Sequence, residues 1–175
     1  MKVLAEKKYK AQKIVRGYAN RTLYVNLTTL EIEIKPVSNE MKEKFIGGKG
    51  FDLWLMWNDL PKDRIIEWDD PKNELCIASG PLGASTYYPG AGKSIVTTIS
   101  PLTGIIIDSN VGGYFGPYLK FSGFDAIEIQ GKAEKEVILF INGKENVIRL
   151  EEVEESDQIP PYSHSLTQHL TKKYA

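Results

Sequence analysis

Thiols and imidazoles are scarce in this sequence: Cys76, His164 and His169 are the full complement among 175 residues. One thiol cannot hold an iron–sulfur cluster, which needs several thiolates. Cys76 lies in the apolar run Leu75-Cys76-Ile77-Ala78, where a buried strand position explains it better than reactivity. The histidines are five residues apart, a spacing that sets them on different faces of a helix, and no His/Cys/Asp/Glu cluster shows metal-ligand spacing. A catalytic-triad pattern is missing as well. No apolar run approaches the roughly 20 residues of a membrane-crossing helix, and the lysine-studded start lacks the apolar centre of a secretory signal. Membrane association is therefore not expected, and the expected location is the cytoplasm. Charge of one sign is also lacking. The 22 basic and 23 acidic residues give a net charge of −1, and their interspersion leaves no broad basic footprint for a nucleic acid.

What the chain does have is apolar content, 42% of its residues, enough for one substantial core but not for two large domains. Charge concentrates at the ends. Lys2, Lys7, Lys8, Lys10, Lys13 and Arg16 precede the first clear strand pattern, and Glu151, Glu152, Glu154, Glu155 and Asp157 follow the last; both runs read as solvated tails. Residues 1–16 are thus expected as a basic N-terminal extension, 17–155 as the domain, and 156–175 as a linker, marked by Pro160-Pro161, with a short C-terminal helix through Leu166, Leu170 and Tyr174.

Within the domain, Arg21 to Leu27 and Glu31 to Lys35 alternate in polarity and predict a hairpin with one buried face. Ser38 is placed to cap a helix from Asn39 to Phe45, and Gly47-Gly48-Lys49-Gly50 bends the chain into a second, apolar helix around Phe51, Trp54 and Trp57, all three expected in the core. A short buried strand follows at Leu75 to Ala78. The same order then returns. Ser94 to Ile99 and Ile105 to Asp108 flank the turn Ser100-Pro101-Leu102-Thr103-Gly104, Gly112-Gly113 leads to a helix at Tyr114 to Phe121, and Ala126 to Ile129 closes the second half. Val137 to Ile141 and Val147 to Leu150 form a last hairpin about Asn142-Gly143. The expected fold is α+β, with duplicated hairpin–helix–strand halves forming mixed β-sheets.

Two glycine-rich bends could carry chemistry. Gly80-Pro81-Leu82-Gly83 through Gly90-Ala91-Gly92-Lys93-Ser94 combines close-approach glycines, whose N–H groups can face an anion, with a lysine charge suited to phosphate. It lacks P-loop spacing, and ordinary turn glycines beside an exposed lysine would give the same pattern. Asn110-Val111-Gly112-Gly113-Tyr114, just ahead of a predicted helix, offers carbonyl ligands and free amide donors; an ordinary helix cap packed on glycines accounts for it equally.

Five ordered blocks carry a resemblance to a known family: Ala78-Ser79-Gly80-Pro81-Leu82, Ser100-Pro101-Leu102-Thr103-Gly104, Gly112-Gly113-Tyr114-Phe115-Gly116, Leu119 to Ile127, and Gly131-Lys132-Ala133-Glu134-Lys135. Together with Val25-Asn26-Leu27-Thr28 and Gly47-Gly48-Lys49-Gly50, they closely resemble the N-terminal domain of aldehyde:ferredoxin oxidoreductases, from about Gly17 to Leu150. The resemblance implies a sheet base on which two pyranopterins lie, their dithiolenes holding tungsten, or molybdenum in some relatives. It implies that Lys93, Asn110, Gly112 and Gly113 hold one side of this tungstopterin. Gly112 would meet the pterin phosphate through its amide, and Asn110 would give its backbone carbonyl to a magnesium ion bridging the two phosphates. The family usually has arginine where this chain has Lys93, and an ammonium does not reproduce a bidentate phosphate fork. The family's cluster cysteines and substrate pocket lie in later domains. The implied partners are therefore a larger chain or further domains carrying a 4Fe-4S cluster, with ferredoxin reached indirectly and a homo-oligomer left open. The implied function is a cofactor-binding domain or small subunit, inactive alone, of an enzyme that oxidises aldehydes or related carbonyl compounds. The alternatives are a non-catalytic scaffold or pterin carrier, or a general phosphate-binding module.

Overall fold

The computed structural model describes residues 1–88 and 90–174. Its first element corrects the expectation of a solvated basic tail: β1 (Lys2–Lys8) is a strand, paired antiparallel with the acidic segment near the other end of the chain. The physical reason is complementarity. Glu6 pairs with Arg149 at 2.7 Å, Lys2 lies in register with Glu152, and Leu4 and Ala5 pack against the core between the charges.

The predicted hairpin is β2 (Arg21–Asn26) and β3 (Glu31–Pro36). Alternation along β2 buries Leu23 and Val25 on one face of the sheet. Helix α1 (Asn39–Lys44) starts where the Ser38 hydroxyl accepts the Met41 N–H at 3.0 Å, the usual side-chain substitute for a missing helical acceptor. Helix α2 (Lys49–Asp59) follows Gly48, whose φ of 54° favours glycine. It buries Phe51, Leu55 and Met56. Trp57, expected in the core, is 69% exposed, because the buried face runs through positions 51, 55 and 56 and two residues suffice to carry it past Leu55 to the other side.

Next come β4 (Glu74–Ser79), β5 (Ser94–Ile99), β6 (Ile106–Val111), α3 (Phe115–Phe121) and β7 (Ala126–Gln130). Hairpin, helix and strand thus recur in one order, as expected. The six strands form one mixed sheet in the order β3-β2-β7-β4-β5-β6. Each half's single strand lies beside the first strand of the other half's hairpin: β7 runs parallel to β2, and β4 antiparallel to β5. A second sheet, β1-β9-β8, is completed by β8 (Val137–Asn142) and β9 (Val147–Glu152). Glu151 and Glu152, expected in the acidic tail, are therefore strand residues.

Two cores result. One, between the helices and the large sheet, is centred on Phe51, Met56, Cys76 and Ala78; the other, between the sheets, on Leu23, Phe124, Ile148 and Leu150. Cys76 is fully buried, as expected. The turn between β8 and β9 uses glycine differently from the hairpin reading. Its left-handed residue is Asn146, at φ 56°, while a Cβ on Gly143 would lie 2.7 Å from the Ser122 Cα, so Gly143 lets the turn lie against the corner after α3.

That corner carries a buried ion pair. The Lys120 ammonium contacts the Asp125 carboxylate, with the two side chains 1% and 0% exposed. Asp125 also accepts the Ala19 N–H at 3.0 Å and the Asn20 N–H at 2.7 Å, and Lys120 donates to the Gly17 carbonyl at 3.1 Å. The C-terminal helix α4 (Ser163–Tyr174) docks on the small sheet through Tyr174, which stacks on Phe140 with ring centroids 4.6 Å apart. No helix among the described residues is long and apolar enough to cross a membrane.

Candidate functional site

Strand register brings the two glycine bends together. β5 and β6 pair Ser94 with Val111 and Ile95 with Asn110, so the chain enters β5 through Lys93 at the same end from which it leaves β6 through Gly112 and Gly113. Their main chains abut. A Cβ on Gly92 would lie 2.6 Å from the Gly113 carbonyl oxygen, a separation that side-chain carbons do not tolerate. Lys93, Asn110, Gly112 and Gly113 are all exposed, and apart from the adjacent residues no described atom lies within 4 Å of a Cβ built on Gly112 or Gly113. The proposed donors are neither scattered nor sealed in the interior. Asn110 lies within β6 rather than at the cap of α3, which starts at Phe115 and has Tyr114 as its cap without a side-chain hydrogen bond.

The strand ends beneath the bends carry two further polar groups. Ser79, just before Gly80, and Ser94, just after Lys93, are register partners, and both hydroxyls are buried with no hydrogen-bond partner among the described residues. A buried hydroxyl without a partner is costly. Two such groups beside an exposed lysine and open main-chain donors fit a phosphate-bearing ligand better than they fit a plain turn.

Aromatic residues flank this end of the sheet. Tyr114, Tyr118 and Phe121 form a continuous stripe, with successive ring centroids 6.3 and 6.4 Å apart, and all three are exposed together with Ile107 and Val111 of the edge strand. Spacing of four and then three residues is the helical signal that announces such a stripe in the sequence. An apolar surface of this kind marks a contact face.

Two acidic groups on the helix side of the sheet escaped sequence reasoning. Asp52 of α2 is buried; Thr97 donates to its Oδ2 at 2.8 Å, and its Oδ1 has no partner among the described residues. Burial pushes its pKa up to about 8, against the lowering effect of the Thr97 hydrogen bond and with a smaller push from Asp108. The folded state therefore holds a proton that the unfolded chain has already released above pH 4, and its stability falls as pH rises through the folded value. Asp52→Asn keeps the acceptor for Thr97 and carries no charge. It is expected to raise stability by about 1–3 kcal/mol at pH 9 and to change little at pH 5, as read from urea unfolding at the two pH values. Equal effects at both would show that Asp52 is not held protonated. The second group, Asp59, Glu74 and Glu128, brings one carboxylate oxygen from each within 4.8 Å of the others. It contradicts the expectation of no such cluster, because α2, β4 and β7 supply its members from distant positions.

Comparison with known proteins settles the family. The family model "Aldehyde ferredoxin oxidoreductase, N-terminal domain" matches residues 22–175. The chain belongs to that family. The tungsten-containing aldehyde ferredoxin oxidoreductase of Pyrococcus furiosus is 41% identical over 133 residues, 76% of this chain and 22% of that protein. The aliphatic sulfonate oxidoreductase, WOR-like subunit, of the same organism is 35% identical over 138 residues, 76% of this chain and 21% of that protein. Among solved structures, the active-site complex BamBC of benzoyl coenzyme A reductase with 1,5-dienoyl-CoA superposes with a TM-score of 0.80 at 28% identity, covering 90% of this chain and 23% of that one. The chain thus spans under a quarter of the length of these relatives, in the part that the aldehyde ferredoxin oxidoreductase family uses as its N-terminal domain.

Proposed function

We propose that the chain is the cofactor-cradling N-terminal unit of a tungsten or molybdenum bis-pyranopterin oxidoreductase acting on aldehydes or related carbonyl compounds in the cytoplasm. Later domains or a partner chain supply the 4Fe-4S cluster, the opposite side of the cofactor and the route to ferredoxin. The observation that carries this reading is the meeting of the two bends, where Lys93, Gly112 and Gly113 stand exposed around one end of the β5–β6 pair. The aldehyde ferredoxin oxidoreductase of Pyrococcus furiosus is tungsten-containing by name, which supports the choice of metal.

In this reading the bound metal cofactor would supply the two-electron oxidation of the carbonyl. The residues of this chain bind and orient. The main-chain N–H groups of Gly112 and Gly113 would hold the pterin phosphate, since glycine allows an approach that a side chain would block. Lys93 would add a full positive charge, and Asn110 would offer its main-chain carbonyl to a magnesium ion. The aromatic stripe of α3 and the exposed apolar residues of β6 meet the domains that close the site, which keeps bulk water from the cofactor edge.

Lys93 provides the test. In the enzyme assembled with its cluster-bearing part, Lys93→Ala is expected to lower retained pterin about tenfold after gel filtration, the value of one charge-assisted phosphate contact. Lys93→Arg is expected to retain at least as much as the wild type, since the guanidinium adds a second donor. Pterin is read by fluorescence after oxidation, and tungsten or molybdenum by elemental analysis. Full pterin content in Lys93→Ala would remove Lys93 from the site, and assembled material devoid of both pterin and metal would favour the scaffold reading.

A further inference from the structure

We propose that Asp59, Glu74 and Glu128 form a site for one hard divalent cation, of the calcium, magnesium or manganese class, where the last turn of α2 meets strands β4 and β7. The site is separate from the glycine bends, which lie beyond the other end of β4, and does not depend on the function assigned to them.

The argument starts from the sheet. Register places Glu74 opposite Gln130 and Glu128 opposite Cys76, so both carboxylates rise on the face that α2 covers, and Asp59, the last residue of that helix, completes the group. One oxygen from each lies within 4.8 Å of the other two. Calcium–oxygen bonds of about 2.3–2.6 Å require ligand oxygens no more than about 5 Å apart, and every pair in the cluster lies inside that limit. Glu74 and Glu128 are 1% and 0% exposed, so this is not the loose surface acidity that proteins carry without a ligand.

A second observation points to a missing cation. Glu128 Oε1 is buried and has no hydrogen-bond partner among the described residues, while Oε2 accepts from Lys35 at 3.1 Å. An unpartnered carboxylate oxygen in the interior is among the more costly arrangements in a folded chain, and a cation bound to it would remove that cost. Lys35, which also reaches Asp59 at 2.9 Å, brings one positive charge to three carboxylates.

The donor set selects the ion. All three ligands are carboxylate oxygens, which suit hard cations rather than zinc or copper. The nearby Cys76 thiol is engaged as a donor to Glu74 at 3.8 Å. Solvent reaches the cluster through a cleft of about 310 Å³ whose lining includes Glu31 and Glu33 beside Asp59 and Glu74. These two exposed carboxylates raise the local concentration of cations at the mouth, while Lys72 on the same rim opposes them.

The full 175-residue chain is the material for the test, with manganese(II) alone as the probe at pH 8 and free manganese read by electron paramagnetic resonance. One saturable ion per chain is expected, displaced by calcium. Glu128→Gln, nearly isosteric, is expected to weaken binding by at least about tenfold, and Lys35→Met to tighten it, because the competing ammonium is gone. Asp59→Asn, at a partly exposed helix end, provides a second variant whose folding is not at risk, and it too should lose at least about tenfold. Circular dichroism establishes that each variant is folded. Absence of saturable binding to the folded wild-type chain, or binding that survives unchanged in both Glu128→Gln and Asp59→Asn, would overturn the proposal.

Discussion

Asp125→Asn is expected to cost this fold about 3–5 kcal/mol, the loss that follows when one member of a buried ion pair is removed and the other is left without a counter-charge. That is a large part of the roughly 5–15 kcal/mol by which domains are stable. Asp125 does three things at once: it pairs with Lys120 and accepts the N–H groups of Ala19 and Asn20. It therefore pins the segment entering β2 against the corner between α3 and β7. An asparagine keeps one acceptor oxygen but sets an NH2 group against main-chain N–H donors that point at the carboxylate, and it leaves the buried Lys120 ammonium without a counter-charge. Lys120→Met is the milder change, because Asp125 keeps both main-chain donors and methionine fills much of the lysine volume. The expected order is thus Asp125→Asn well below Lys120→Met in stability, measured by urea unfolding of the two variants and the wild type. Should Lys120→Met prove the more damaging of the two, the main-chain hydrogen bonds would not be what makes this corner rigid.

The Lys120–Asp125 pair also shows what can and cannot be read from the letters alone. Its residues fall inside the block Leu119 to Ile127 that carries the family resemblance, yet nothing in that block says that a lysine will be buried. Hairpins were legible, because alternation at Leu23 and Val25 or at Ile95, Thr97 and Ile99 is a local signal that the sheet preserves. β1 was not. Its lysines hide Leu4 and Ala5, and its partner β9 lies more than 130 residues away in the register. For the same reason the carboxylates of Asp59, Glu74 and Glu128 left no trace as a group: each sits on a different element, and no spacing along the chain encodes their meeting. Trp57 was misplaced by a different route. Three aromatic residues at positions 51, 54 and 57 suggest one helical face, but the buried set is Phe51, Asp52, Leu55 and Met56, and an offset of a single residue rotates a helix by about 100°. The glycine bends fall between these cases. Their composition was visible, whereas their meeting depends on the β5–β6 register and could be stated only from the structure.

Gly92 offers the sharpest test of that meeting. Gly92→Ala adds a methyl group where the Gly113 carbonyl oxygen stands 2.6 Å away, and that neighbour is main chain, unable to rotate aside as a flexible side chain would. The bends must separate by several tenths of an ångström, a displacement comparable to the margin within which hydrogen bonds keep their strength. Gly113 is poorly placed to absorb the shift, because its φ of 86° belongs to a region that glycine occupies and other residues avoid. The damage is confined to the exposed end of the sheet, away from both hydrophobic cores, so the thermal stability of the chain should fall by no more than about 1 kcal/mol. Ligand retention should suffer far more. Losing one main-chain contact to a phosphate group, worth about 1.5–3 kcal/mol, corresponds to about a tenfold to hundredfold weaker hold on the pterin. The expected result is thus a folded chain that still assembles with its cluster-bearing part but carries little pterin and little metal. A Gly92→Ala variant with undiminished pterin would mean that the two bends, though adjacent, do not act together on one ligand.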